Sequence, residues 1–361
     1  MGNRKRTQLY LLPCFSVSYT EQKINFMTPP ARLPIIDLHC DLLVYLSDVP
    51  DSAIDNVAEI GCSLPALTQG NVRLQTMAIY CATAPGSTHY AHLQAEIFRK
   101  LATDERSCLT AVTNTASLQN ALSGKGDIGM VASVENASGF CEEDEPLEEG
   151  FKKLEKIIDA VERLLYISFT HHMGNRFGGG NMTDRGITRD GKMLLDYLHG
   201  RRIAVDFSHT SDALAYDILE HIDRERLDIP VMASHSNFRP VWEHNRNLPD
   251  EIAQEIIRRQ GLIGMNFLRA FVNNEQPEAL LQHILYGFEK GAENSICFGA
   301  DYFYTLDSPD LSRVPYYFKE HEHAGTSYTY LLEQLQDKLS QPQLEQLAYR
   351  NAQRFMERIW S

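Results

Sequence analysis

Paired cysteines are missing from this sequence. Its seven cysteines (Cys14, Cys40, Cys62, Cys81, Cys108, Cys141 and Cys297) are odd in number, widely spaced and without a CxxC pair. That argues against a disulfide framework and against a Cys-ligated zinc, and it points to a reducing, cytoplasmic compartment. No run approaches the roughly 18 consecutive apolar residues of a membrane span. Basic residues are in deficit, with 34 Lys plus Arg against 48 Asp plus Glu and a formal net charge of -14. A phosphate backbone would meet a repulsive field, so nucleic acid is not an expected partner. Gly178-Gly179-Gly180 lacks the Lys-Ser/Thr of a P-loop and reads as a flexible active-site loop. Neither Ser208 nor Ser234 sits in a GxSxG elbow, so no serine nucleophile is indicated.

What remains is an ordinary globular composition, 43% hydrophobic and 23% charged, in 361 residues. That length fits two average domains or one large α/β barrel. Short apolar runs at 33–38, 74–80, 128–134, 164–169, 203–207, 230–233, 262–267 and 296–299 read as eight strands. Helix-period stretches at 91–102, 151–165, 192–198, 211–222 and 250–259 lie between them, with Ser211 or Asp212 and Asp250 placed as N-caps. This alternation predicts a (β/α)8 TIM-type barrel, a single domain over residues 31–361 with C-terminal helices; a doubly wound open sheet is the competitor. Residues 1–30 read as a flexible N-terminal tail. Their basic start (Arg4, Lys5, Arg6) and an apolar run at 9–17 broken by Pro13 make a poor signal peptide, and Met27 offers an alternative start.

The runs end in polar chemistry: Asp37-Leu38-His39-Cys40-Asp41, Glu135, Thr170-His171-His172, Ser208-His209, Ser234-His235 and Asp301. In a barrel these converge on one face, where active sites form. His39-x-Asp41 would send both side chains to one side of a strand, a spacing that suits one metal ion. Taken alone, such a triplet also fits a capping Asp beside a hydrogen-bonded His. His209 and His235 fit either core histidines or zinc ligands. A buried Glu135 is costly unless paired or metal-bound, and it fits either a bridge between two cations or an acceptor at a helix N-terminus. Together, three nitrogen and two carboxylate ligands suit two zinc ions sharing a hydroxide.

The ordered stretches Asp37 to Leu42, Ser63 to Gly70, Val134-Glu135-Asn136, Phe169-Thr170-His171, Val205 to His209 and Ala233 to Asn237, with Arg246-Asn247, resemble the renal, or membrane, dipeptidase family of the amidohydrolase superfamily. The resemblance runs from about residue 33 to 301, and Tyr349 to Arg354 is similar to the family's closing helix. It implies that His39 and Asp41 hold one Zn2+, His209 and His235 a second, and that Glu135 bridges them; other divalent metals are allowed. His171 would polarise the scissile carbonyl, with His172 facing elsewhere. Arg246 would grip the substrate's terminal carboxylate, as a bidentate donor can. Asp301 would handle a proton or the substrate's amino end.

Two departures stand out. After Asp301 the family usually continues Phe-Asp-Gly, where this chain has Tyr302-Phe303-Tyr304-Thr305, and Leu268 stands where many relatives carry a Tyr. The expectation is a zinc-dependent dipeptidase in which a metal-bridging hydroxide attacks the peptide carbonyl. The alternatives are hydrolysis of another small amide (a lactam or an N-acyl amino acid) and a catalytically silent barrel used as a binding protein. The expected partner is a small dipeptide, and a homodimer is left open.

Overall fold

The computed structural model describes residues 32–306 and 313–361, so the expected tail at 1–30 lies outside the described residues. Nine parallel strands are found among them: β1 Ile35–Cys40, β2 Val72–Tyr80, β3 Leu109–Ala111, β4 Ile128–Glu135, β5 Leu164–Ser168, β6 Ala204–Asp206, β7 Val231–Ala233, β8 Leu262–Met265 and β9 Ile296–Phe298. In the order β2-β1-β9-β8-β7-β6-β5-β4 eight of them form a ring that β2 closes by pairing with β4, from Leu74↔Gly129 to Tyr80↔Glu135. The barrel is the TIM-type architecture that alternation of strand and helix predicts. Its strands are buried along nearly their whole length, which is why they read as continuous apolar runs rather than alternating ones.

Strand β3 is the addition. It pairs with the first half of β4 (Leu109↔Ile128 to Ala111↔Met130), and β5 takes the second half (Ala132↔Leu164 to Glu135↔Ser168). Three residues are too few to show a period, so no sequence pattern marks it. The helix expected at 151–165 ends earlier, spanning Leu147–Val161, because Glu162 turns into the left-handed region at φ 63 and frees Leu164 for β5. Ser211 caps the helix Asp212–Glu225 by accepting from the Leu214 N–H at 3.0 Å. Pro249, rather than Asp250, stands at the N-cap position of the helix Asp250–Arg258, with no side-chain capping bond. Asp250 instead places its charge in the first turn, where the helix dipole favours it.

The C-terminal helix Asn351–Trp360 packs Phe355, Met356 and Trp360 against Ile36, Leu74, Met232 and other side chains drawn from around the ring. Asn351 ties it to β9, donating to the carbonyls of Glu293 and Ile296 at 2.8 Å each. No helix among the described residues is long and apolar enough to cross a membrane.

Gly264 of β8 and Gly299 beyond β9 both face the Ser234 carbonyl. A Cβ at either position would fall far inside contact distance of that oxygen. This close approach sets the backbone that carries His235. Gly264→Ala should therefore lower stability by about 1–3 kcal/mol, the usual cost of overpacking. The measurement is the urea midpoint at unchanged m-value; an unshifted midpoint would mean that β7 and β8 can separate freely.

Candidate metal centre

Local backbone irregularities aim the polar side chains. On β1 the register moves from Asp37↔Gln75 to Cys40↔Met77, three residues against two, which is a bulge centred on Leu38 and His39. Bulges turn side chains out of the regular pleat, and here His39 is turned into the site. Asp41 lies beyond the strand as the N-cap of the helix Leu42–Asp48. The two-residue parity rule is therefore not what unites His39 with Asp41; the bulge and the turn after it do so. Glu135 ends β4, and His209, His235 and Asp301 follow β6, β7 and β9. His209 (φ 68) and Asp301 (φ 65) occupy the left-handed region. Non-glycine residues there persist only where their surroundings enforce the conformation, and such positions cluster at functional sites.

The side chains converge on Glu135. Its Oε2 lies 3.4 Å from His39 Nε2, which is itself 4.0 Å from Asp41 Oδ2 and 3.6 Å from Asp301 Oδ1. Its Oε1 lies 2.9 Å from His209 Nε2 and 3.6 Å from His235 Nε2, and those two nitrogens are 2.9 Å apart. One carboxylate oxygen thus faces each of two donor groups, His39 with Asp41 and His209 with His235.

A set of supporting residues, which sequence reasoning missed, orients the rings. The Tyr166 hydroxyl donates to the Leu38 carbonyl at 3.1 Å and lies 2.6 Å from His39 Nδ1. With its own proton so used, it accepts from Nδ1–H and leaves the Nε2 lone pair facing the cluster. His235 Nδ1 meets Ser234 Oγ at 2.7 Å, and Ser234 donates to Asp206 at 2.8 Å. Asp206 also accepts from Ser168 at 2.6 Å and from the Ser208 and Ser234 amides at 3.2 and 2.6 Å. A charged residue inside an apolar strand was the available signal for Asp206.

Electrostatically the cleft is unbalanced. Burial pushes Asp41 well above the usual carboxylate range, and the charges of Glu135 and Asp301 push it further. Burial and the Glu135 charge raise Asp301 to about 6 against the pull of His39 and Arg246. Burial works against charge on Glu135 as well, yet His39, His171 and Arg246 hold it at about 2. Burial disfavours a charged His39, but Tyr166, Glu135 and Asp41 outweigh it and raise the ring well above its ordinary value. His209 and His235 are driven well below theirs, by burial and then by neighbouring cations, Arg246 among them. Without a cation the cleft therefore favours the protonated forms of His39 and Asp41. Buried His39 Nε2 and Asp41 Oδ1 also lack hydrogen-bond partners. Nitrogen and oxygen donors with these uncommitted atoms fit divalent cations of zinc's type.

Above the cluster opens a cavity of about 550 Å³, its floor including Asp41, Glu135, His209 and Asp301. His171 lines it, its ring 4.2 Å from that of His209 and its basicity lowered by burial to about 3. His172 does not face elsewhere: it lines the same cavity, 4.1 Å from the His171 ring, with Nδ1 3.1 Å from Asn181 Oδ1. The Asn181 contact, invisible in sequence, turns it inward. Arg246 is only 3% exposed and lies behind the cavity wall rather than in it. It donates to Ser236 Oγ and the His235 carbonyl at 3.2 Å each and meets His209 Nε2 at 3.2 Å. Its guanidinium rests over Phe271, its Nε lacks a partner, and no carboxylate lies within ion-pair distance among the described residues. Asp301 accepts from Asn266 at 2.8 Å. The triglycine segment is buried rather than loose: Gly179 and Gly180 face the carbonyls of Arg185, His171 and Met173 too closely to admit a Cβ.

Residues 27–360 match the family described as membrane dipeptidase, peptidase family M19. The chain is 32% identical over 169 residues to dipeptidase ataJ of Aspergillus terreus, covering 43% of this chain and 40% of that protein. The chain's alignments with three of its curated relatives span 40–65% of those relatives' own lengths. Among solved structures, dipeptidase AC, an M19 metallopeptidase, superposes with a TM-score of 0.78 at 18% identity, covering 91% of this chain and 99% of that one. A Rhodobacter sphaeroides metallopeptidase, liganded with a phosphinate mimic of L-Ala-D-Ala, gives 0.76 at 18%, covering 91% and 100%. At such identities these structures speak for the fold.

Metal uptake should displace any proton on His39 and Asp41, whose surroundings favour the protonated forms. Calorimetric zinc titration at neutral pH, in buffers of different ionisation enthalpy, should report release of about one to two protons per chain. Glu135→Gln should weaken binding at both donor groups together, because it removes the charge that faces each. Full zinc uptake without proton release would mean that neither His39 nor Asp41 carries a displaceable proton in the metal-free cleft.

Proposed function

Because the chain belongs to the membrane dipeptidase family, peptidase family M19, we propose that it is a metallo-dipeptidase working through residues 31–361 as one catalytic domain. The observation that carries this reading is the presentation of one Glu135 oxygen to each of two donor groups. His39 and Asp41 would hold one zinc ion, His209 and His235 a second, with Glu135 between them. Bound there, such ions would acidify water to a hydroxide nucleophile and polarise the scissile carbonyl.

The remaining steps belong to the chain's own groups. His171, kept neutral by burial, donates an N–H to the carbonyl oxygen as charge develops on it. Asp301, oriented by Asn266, accepts the proton of the attacking water and passes it to the departing amine. Arg246, buried beside His209, supplies a positive charge that draws the substrate's carboxylate to that side of the cavity. The free cysteines, five of six buried among the described residues, accord with a reducing, cytoplasmic setting.

The test is hydrolysis by the zinc-loaded protein of a panel of L,L and L,D dipeptides, abolished by chelation and restored by metal. Asp301→Asn should lower kcat by about two to four decades with metal content intact. Normal turnover in that variant would shift proton transfer to another group. Arg246→Met should cost about one to two decades in kcat/KM on free dipeptides and far less on amidated ones. Equal losses would assign Arg246 a structural role.

A further inference from the structure

The dipeptidase reading fixes how a substrate lies in the cavity. Its ammonium group is drawn to the carboxylates of Asp41 and Asp301, and its carboxylate to the side of Arg246, His171 and His172. The chain leaving each carboxylate then builds the wall above it. Three and four residues past Asp41, Val44 and Tyr45 line the cavity, and two and three past Asp301, Phe303 and Tyr304 do so. These segments interlock: the Tyr45 and Tyr304 rings are 5.5 Å apart, and Phe303 meets Tyr316 edge-on at 5.2 Å. Tyr45 is pinned from behind by its hydroxyl, which donates to Glu59 at 2.5 Å.

This wall stands where the Phe-Asp-Gly pattern would leave an acid at 303 and no side chain at 304. A glycine there would open the wall and a carboxylate would wet it. From this arrangement, we propose that the chain selects dipeptides whose amino-terminal residue carries a bulky apolar side chain, aromatic above all. The proposal rests on the dipeptidase reading. That side chain leaves the Cα next to the ammonium, so it rises from between Asp41 and Asp301 directly onto the aromatic wall. The second residue's side chain starts one peptide unit away, toward the imidazoles of His171 and His172.

The experiment compares kcat/KM for Ala-Ala, Leu-Ala, Phe-Ala and Ala-Phe on the zinc-loaded protein. Phe-Ala should exceed Ala-Ala by about 10- to 100-fold, the usual effect of burying an aromatic side chain. Tyr304→Gly should reduce that ratio by about tenfold, Tyr304→Phe should retain it, and the Ala-Phe to Ala-Ala ratio should not change in either variant. A flat profile at the first residue, a preference governed by the second, or a ratio insensitive to Tyr304→Gly would overturn the inference and leave the dipeptidase reading intact. If no dipeptide is hydrolysed, that reading fails, and the wall is then judged by binding. A phosphinate mimic of Phe-Ala holding about tenfold tighter than one of Ala-Ala would still support it. Equal affinities would sink it.

Discussion

Three carboxylates, Asp41, Glu135 and Asp301, share one buried cleft, and charge of one sign cannot stay there uncompensated. Much of the surrounding structure answers this constraint. Three imidazoles reach the cleft from separate strands, and Arg246 stands behind it as a permanent cation. The bulge on β1 and the left-handed backbone at His209 and Asp301 are local costs accepted to bring these groups within a few ångströms. A second circle of hydrogen bonds, from Tyr166, Ser234 and Asp206, then fixes which ring nitrogens face inward.

That second circle explains why an apolar barrel tolerates so many polar groups. Asp206 is completely buried, yet four donors surround it. Asp37 is likewise buried and accepts from the His39 and Ala300 amides, Gln75 and the Tyr328 hydroxyl. Both are anchors for backbone segments that end in site residues. They convert hydrogen-bond satisfaction into placement of His39, His209 and His235.

The strands and their polar ends were legible in the sequence because a parallel barrel buries both faces of each strand and changes abruptly to chemistry at one rim. All eight runs reappear in the ring, and the site residues expected from their ends lie together. What stayed hidden depends on contacts rather than on pattern. β3 is too short for periodicity. The inward turn of His172 rests on one hydrogen bond to Asn181, and the enclosure of Arg246 on packing over Phe271. The triglycine looked mobile because glycine permits many conformations, whereas here it permits close passage of backbone. The helix overrun at 162–165 was a matter of one residue's dihedral angle, which composition cannot reveal.

The seam between β1 and β9 has a consequence for biosynthesis. Asp37 and the Ala300 amide that it accepts from lie 263 positions apart, and its Tyr328 partner lies 291 away. At synthesis rates of roughly 5–20 residues per second, β1 waits on the order of ten to sixty seconds for the elements that complete its surroundings. Throughout that interval one edge of the strand is open, and open edges invite pairing with other chains. Until then Asp37 lacks two of the four donors that satisfy it in the finished barrel. Satisfying this buried carboxylate is thus among the last steps that the chain order permits.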